Sequence, residues 1–86
     1  MKRFAIADGA QHIEGAASIG VFTVGTADGV GFASFGVGLR GTRQRHLLKV
    51  GQTSEVDGVG RLTLVDIRDG ATKGERAALF ELETHE

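Results

Sequence analysis

The sequence predicts an all-β fold, a small antiparallel sandwich or barrel of about seven to eight short strands, on three observations. Fourteen glycines and no prolines punctuate the chain. Four of those glycines follow an aspartate, in Asp8-Gly9, Asp28-Gly29, Asp57-Gly58 and Asp69-Gly70. Asp-Gly suits the type I′ hairpin turn, whose two central residues take positive φ. Between these pairs lie short runs rich in Val, Ile, Phe, Leu and Thr, residues that fit a pleated surface.

In chain order, strands are expected at Arg3–Ala7, Gln11–Glu14, Ile19–Thr26, Val30–Leu39, Arg45–Val50, Glu55–Asp57, Arg61–Arg68 and Glu75–Glu83. Ala10–Ala17 has a short helix as its alternative, which Gly15 interrupts. Period-2 alternation is clearest in the middle. Ala33, Phe35, Val37 and Leu39 share one face, while Phe32, Ser34, Gly36 and Gly38 take the other. Further on, Thr63, Val65 and Ile67 oppose Leu62, Leu64 and Asp66. Glu75–Glu83 holds strong helix formers, but Ala78, Phe80 and Leu82 alternate as a strand requires, and a hairpin partner ending at Arg68 precedes it. No cut separates two cores and no internal repeat is visible, so residues 1–86 form a single domain.

Eighty-six residues bury only a modest core. With no cysteine there is neither a disulfide nor a Cys-based zinc site to staple it. Oligomerisation is the remaining common device, and a homo-oligomer is expected. The strand Val30–Leu39 is its best candidate interface, through Phe32, Ser34, Gly36 and Gly38 on a face left nearly bare. A tight bend in a barrel wall accounts for the same glycines. Formal net charge is −1, giving no global field for nucleic acid or anionic lipid. The basic start Met1-Lys2-Arg3 is not followed by a signal-length apolar run, and nothing reaches transmembrane length. The expected location is cytoplasmic, with no membrane partner. Seven Arg against three Lys, with abundant Ala and Gly, points to a GC-rich, bacterial coding bias.

Gly36-Val37-Gly38-Leu39-Arg40-Gly41 matches the dinucleotide fingerprint G-x-G-x-x-G by letter. That motif needs a following helix to set its dipole on the pyrophosphate, and Thr42–Val50 is too short and β-like to supply one. His12 and Glu14 would share a strand face, with His46 a conceivable third ligand, but no metal spacing joins them. Ser18, Ser34 and Ser54 coexist with His and Asp, yet none sits in a G-x-S-x-G elbow. Asp66 and Asp69 read as turn and solvent-face carboxylates, and His85 lies at the chain end. No cofactor, metal or catalytic set is expected.

Arg40, Arg43, Arg45, His46 and Lys49 form the one cationic cluster, radiating from a hairpin tip. It suits an anionic ligand or an acidic protein surface. Nucleic acid is the weaker candidate, since no Trp or Tyr is present for base stacking.

His46-Leu47-Leu48-Lys49-Val50-Gly51-Gln52-Thr53-Ser54-Glu55-Val56-Asp57-Gly58, followed by Leu62-Thr63-Leu64-Val65-Asp66-Ile67, resembles a pattern of small actinobacterial proteins described only as a domain of unknown function: H-x-L-x-V-G-x-T-x-x-V-x-G, then an alternating strand. Gln11-His12-Ile13 and Gly20-Val21-Phe22 are similar to that group's opening strands. Arg61-Leu62 stands where the group carries a Trp. The stretch from Val50 to Gly58 also resembles small β modules of secretion-pilus assembly proteins. Both resemblances imply a compact β domain and neither implies catalytic residues. The function expected is non-enzymatic, through self-association and protein binding. The alternative is a small-molecule-binding β-barrel, catalytic or not, with its cavity lined by Phe22, Phe32, Phe35 or Phe80.

Overall fold

Among the described residues, two turns take the type I′ conformation. Asp28-Gly29 and Arg40-Gly41 hold positive φ at successive residues, 53° and 78° in the first and 52° and 80° in the second. Such turns match the twist of the strands they join, so the chain folds straight back on itself. The computed structural model describes residues 2–56, 58–68 and 75–83. It contains β1 (Lys2–Ala7), β2 (Gln11–Glu14), β3 (Ala17–Ala27), β4 (Val30–Leu39), β5 (Thr42–Lys49), β6 (Thr53–Val56), β7 (Gly60–Arg68) and β8 (Ala77–Glu83). All pairings are antiparallel, in two four-stranded sheets ordered β1-β8-β7-β6 and β2-β3-β4-β5. Among the described residues there is no helix long and apolar enough to cross a membrane.

Each strand neighbours the next around the molecule, except at two seams, between β1 and β2 and between β5 and β6. The result is an up-and-down ring of strands opened at two corners into a sandwich. Asp8-Gly9 makes the first corner and is not a hairpin: Gly9 N donates to Val21 O at 2.9 Å and Val21 N to Ala10 O at 3.1 Å. At the second corner, Gly51 N donates to Leu64 O at 2.8 Å and Leu64 N to Gln52 O at 3.1 Å. Immediately after each receiving residue the register slips by one, leaving Phe22 extra in β3 and Val65 extra in β7. These are β-bulges, which bend and twist the strand that carries them.

The bulges correct the expected phase of β7. Ile67 joins Leu62 and Leu64 on the core side, while Asp66 turns to solvent, because the extra residue flips every side chain after it. β5 begins at Thr42 because the Arg40-Gly41 turn reverses the chain at once, and β6 begins at Thr53 because pairing starts at Gln52. Ala77–Glu83 is a strand, and Ala10–Ala17 contains β2, a turn and the start of β3. Asp57 and Asp69-Gly70 lie outside the described residues.

The core lies between the sheets. Ile19, Val21, Val24, Ala33, Phe35 and Val37 from one sheet meet Ile6, Val56, Leu62, Leu64, Ala78, Phe80 and Leu82 from the other. Phe35 and Phe80 are fully buried and meet edge to face, centroids 5.1 Å apart. Together these features reveal a pseudo-twofold relation that residue identity does not display. Shifting every strand by four places (β1 to β5, β4 to β8) maps one sheet's order onto the other's. The corner and bulge at Val21 then fall on those at Leu64, and Ala33, Phe35 and Val37 fall on Ala78, Phe80 and Leu82.

Candidate functional site

The two halves share a core pattern and differ on their outer faces. Register alone assembles the outer face of β2-β3-β4-β5 into rows. Ile13, Ser18, Gly38 and Arg43 form one row, and Gln11, Gly20, Gly36 and Arg45 the next. Thr23, Ser34 and Leu47 follow, then Gly25, Phe32 and Lys49. The bulged Phe22 swings out over the second row. A Cβ at Gly36 would lie 2.9 Å from Phe22 Cζ, so glycine is what lets the ring settle onto the strand. Phe32 covers Gly25 in the same way, at 3.0 Å. An aromatic ring laid on a strand glycine shields backbone that has no side chain of its own. The Arg45 guanidinium sits over the Phe22 ring, 5.0 Å from its centroid, a cation–π contact.

Between this ring and the β4–β5 turn lies a shallow open hollow of about 660 Å³, floored by Gly20, Gly36, Gly38 and Ser18 and rimmed by Gln11, Arg40, Arg43 and Arg45. Ile13, Phe22 and Leu47 stand exposed around it, at 66%, 47% and 63% of their full surface. Arg43 and Arg45 have no carboxylate partner among the described residues.

The equivalent row of the other sheet is Thr53, Thr63, Glu81 and Arg3. Here Arg3 Nε donates to Glu81 Oε2 at 2.7 Å and the two threonine hydroxyls lie 2.8 Å apart. The pseudo-twofold places Gly36 where Glu81 stands, and Arg45 where Arg3 stands. One outer face satisfies its arginine within the sheet, and the other replaces the carboxylate with a glycine.

Of the expected cationic cluster, the structure brings Arg40, Arg43 and Arg45 to the hollow and sets Lys49 farther along β5, beside Phe32. His46 points the other way. Its ring stacks on Phe35 at 5.4 Å, and its Nδ1 lies 3.1 Å from Ser54 Oγ across the second seam. Among the described residues His46 Nε2 is buried without a hydrogen-bond partner and no carboxylate orients the ring, so the pair there stops short of a nucleophile–base–orienter set. Phe32, Ser34, Gly36 and Gly38 do share the exposed face, as expected.

His12 and Glu14 lie at the first seam, away from His46. His12 Nε2 is 3.1 Å from Glu14 Oε1, Lys2 Nζ donates to Glu14 Oε2 at 2.7 Å, and Phe4 stacks on the His12 ring at 4.1 Å. The Lys2 hydrogen bond, then that of His12, holds the Glu14 carboxyl below its ordinary 4.5. Among the described residues no three His, Cys, Asp or Glu side chains converge for a metal ion.

Sequence reading placed Phe22 only in a closed cavity of the alternative barrel and missed Gly20, Ser18 and Gln11 as parts of the hollow. The signal for Phe22 was a break in alternation, Ile19 and Val21 followed by Val24, which marks the bulge that throws it outward. Comparison with protein-family models, curated proteins and solved structures gave no match to this chain.

Proposed function

We propose that this protein acts without catalysis, by associating with itself and by binding an acidic protein, and that the outer face of β2-β3-β4-β5 is its contact surface. The observation that carries this reading is the contrast between the two outer faces. One face pairs Arg3 with Glu81 and Thr53 with Thr63 in its central row, while the equivalent part of the other combines a glycine floor, exposed Ile13, Phe22 and Leu47, and arginines with no carboxylate among the described residues. Exposed apolar groups beside unmatched cations are what a protein interface offers. The core argues in the same direction. Phe35 and Phe80 fill the space between the sheets, so neither lines an internal ligand cavity, and Phe22 and Phe32 lie on the outside.

The test is oligomeric mass and a pair of substitutions. Light scattering coupled to size exclusion is expected to give at least twice the 9.0 kDa of one chain at micromolar concentration. Gly36→Glu and Gly38→Glu install the residues that Glu81 and Glu83 already are at the equivalent positions of the other sheet, so the fold accommodates them. A Cβ at Gly38 meets nothing within 4 Å, and one at Gly36 needs only the exposed Phe22 to swing aside. The double variant is expected to keep its circular dichroism and lose self-association. A wild-type mass of 9.0 kDa at every concentration would remove the self-association half of the reading.

A further inference from the structure

We propose that the free edge of β5 accepts an extended acidic segment of a partner protein as a fifth strand of the sheet, with its carboxylates set against Arg43 and Arg45. The inference rests on the interface reading above and names the partner that this surface takes. Its first support is the backbone. Leu39 and Thr42 close a two-residue turn, so they form a hydrogen-bonded pair and such pairs recur at every second residue. Val50 N donating to Gly31 O at 2.9 Å keeps the same phase. Thr42, Gln44, His46 and Leu48 therefore turn their amides toward β4. Arg43, Arg45 and Leu47 turn theirs to the open edge, where the described residues supply no partner. Lys49 shares that phase, but its N donates to Gln52 Oε1 at 2.9 Å and its O accepts from Gln52 N at 2.9 Å, so the chain itself closes the edge there.

The second support is charge. The residues that offer edge amides also carry the outward side chains, because both properties alternate with the same period. A strand added beside Arg43 and Arg45 sets two of its own side chains, two residues apart, next to those guanidiniums on the outer face. Opposite charges at such cross-strand sites stabilise pairing and like charges oppose it. Arg3, at the equivalent position of the other sheet, already has Glu81 at 2.7 Å, whereas Arg45 faces Gly36. The fitting segment reads acidic, apolar, acidic. The other edges fit less well: β2 and β6 have four residues each, and Lys2 and Arg3 of β1 are matched by Glu14 and Glu81. Adding a strand to an exposed edge is an established mode of peptide capture.

The probe is a capped peptide of alternating Glu and Val, about eight residues long, a usual strand length. Titration into the full chain is read by calorimetry and by amide hydrogen exchange. Saturable binding that slows exchange at Arg43, Arg45 and Leu47 is expected. Alternating Lys and Val, or the Glu peptide N-methylated along one edge, should not bind. The Arg43→Glu, Arg45→Glu variant, altered only at exposed positions, should weaken the Glu peptide by about ten-fold or more. Failure of the peptide to bind would overturn the proposal. So would binding that leaves those amides unprotected and perturbs only Ser18, Gly20 and Gly38, an outcome that would leave the interface reading standing. Concentration-dependent protection of the same amides without peptide would also overturn it, because a second copy would then hold the edge.

Discussion

Three glycines of one strand should respond differently to the same substitution. Gly31, Gly36 and Gly38 all lie in β4 with φ outside the left-handed region, so alanine is tolerated by the backbone at each. Removing a strand glycine reduces the entropy of the unfolded chain, a gain of about 0.5–1 kcal/mol. At Gly38 nothing opposes that gain, since its Cβ would meet nothing within 4 Å. At Gly31 the new Cβ would lie 2.8 Å from both Cδ1 and Cγ1 of Ile67 and 3.1 Å from Val50 Cγ2. Two atoms of one branched side chain must move together there. Overpacking of that kind costs about 1–3 kcal/mol, which leaves a net loss near 1 kcal/mol. Gly38→Ala and Gly31→Ala should thus differ by about 2 kcal/mol, or roughly 8–16 °C in Tm for a domain of this size. Thermal melts at one fixed protein concentration measure the difference, because association makes Tm concentration-dependent. Gly36→Ala should fall between them, displacing the half-exposed Phe22 ring rather than the core. Equal melting temperatures for Gly31→Ala and Gly38→Ala, or the reverse order, would refute this reasoning.

Two further outcomes are expected. Phe80→Ala removes the ring that meets Phe35 at 5.1 Å and Phe4 at 6.0 Å, and should cost about 3–5 kcal/mol in urea unfolding; Phe80→Leu, which keeps most of the volume, should cost under about 1.5 kcal/mol. Glu14 is held below 4.5 in the folded state, chiefly by Lys2, so its ion pair adds stability above pH 4.5 that fades as pH falls through the folded value. Glu14→Gln should accordingly be less stable than wild type at neutral pH and converge with it in acid; a gap that persists at the lowest pH would assign the effect to something other than ionisation.

Much of the fold was legible because the core imposes a phase. In β4 the buried Ala33, Phe35 and Val37 alternate without interruption, and β8 repeats the device with Ala78, Phe80 and Leu82 strongly enough to overrule its helix formers. The reversals at Asp28-Gly29 and Arg40-Gly41 follow from local φ, but only the first is an Asp-Gly pair, and Asp8-Gly9 serves as a corner. That distinction depends on which distant carbonyl receives Gly9 N, and no local signal in the chain encodes it. The bulges were legible in principle, as Val21 to Val24 and Leu64 to Ile67 break the alternation by one residue. Read as unbroken alternation, β7 puts Ile67 on the wrong face. His46 joined the cationic cluster by sequence proximity, yet its position in the period turns it inward toward Phe35 and Ser54.

The pseudo-twofold relation makes the glycine face informative. Where a fold must place a glycine, an equivalent position in its other half should need one too. Gly20, Gly36 and Gly38 correspond to Thr63, Glu81 and Glu83, ordinary strand residues in the same environment of corner, bulge and hairpin. The backbone at these three glycines is not left-handed, and a Cβ at Gly20 or Gly38 would meet nothing closer than 3.5 Å. Each glycine in a strand interior costs about 0.5–1 kcal/mol relative to alanine, a considerable concession in a domain with so small a core. Phe22 laid on Gly36 recovers part of that at one site; Gly20 and Gly38 have no covering ring of their own. On the interface reading proposed above, the return at Gly20 and Gly38 is what the bare floor admits: another surface, brought close to the backbone of β3 and β4 and met at its rim by Arg43 and Arg45. If that is so, restoring side chains at Gly20 and Gly38 should raise the stability of the isolated chain and weaken its association in the same variants. Stabilisation with association unchanged would detach the glycine floor from binding.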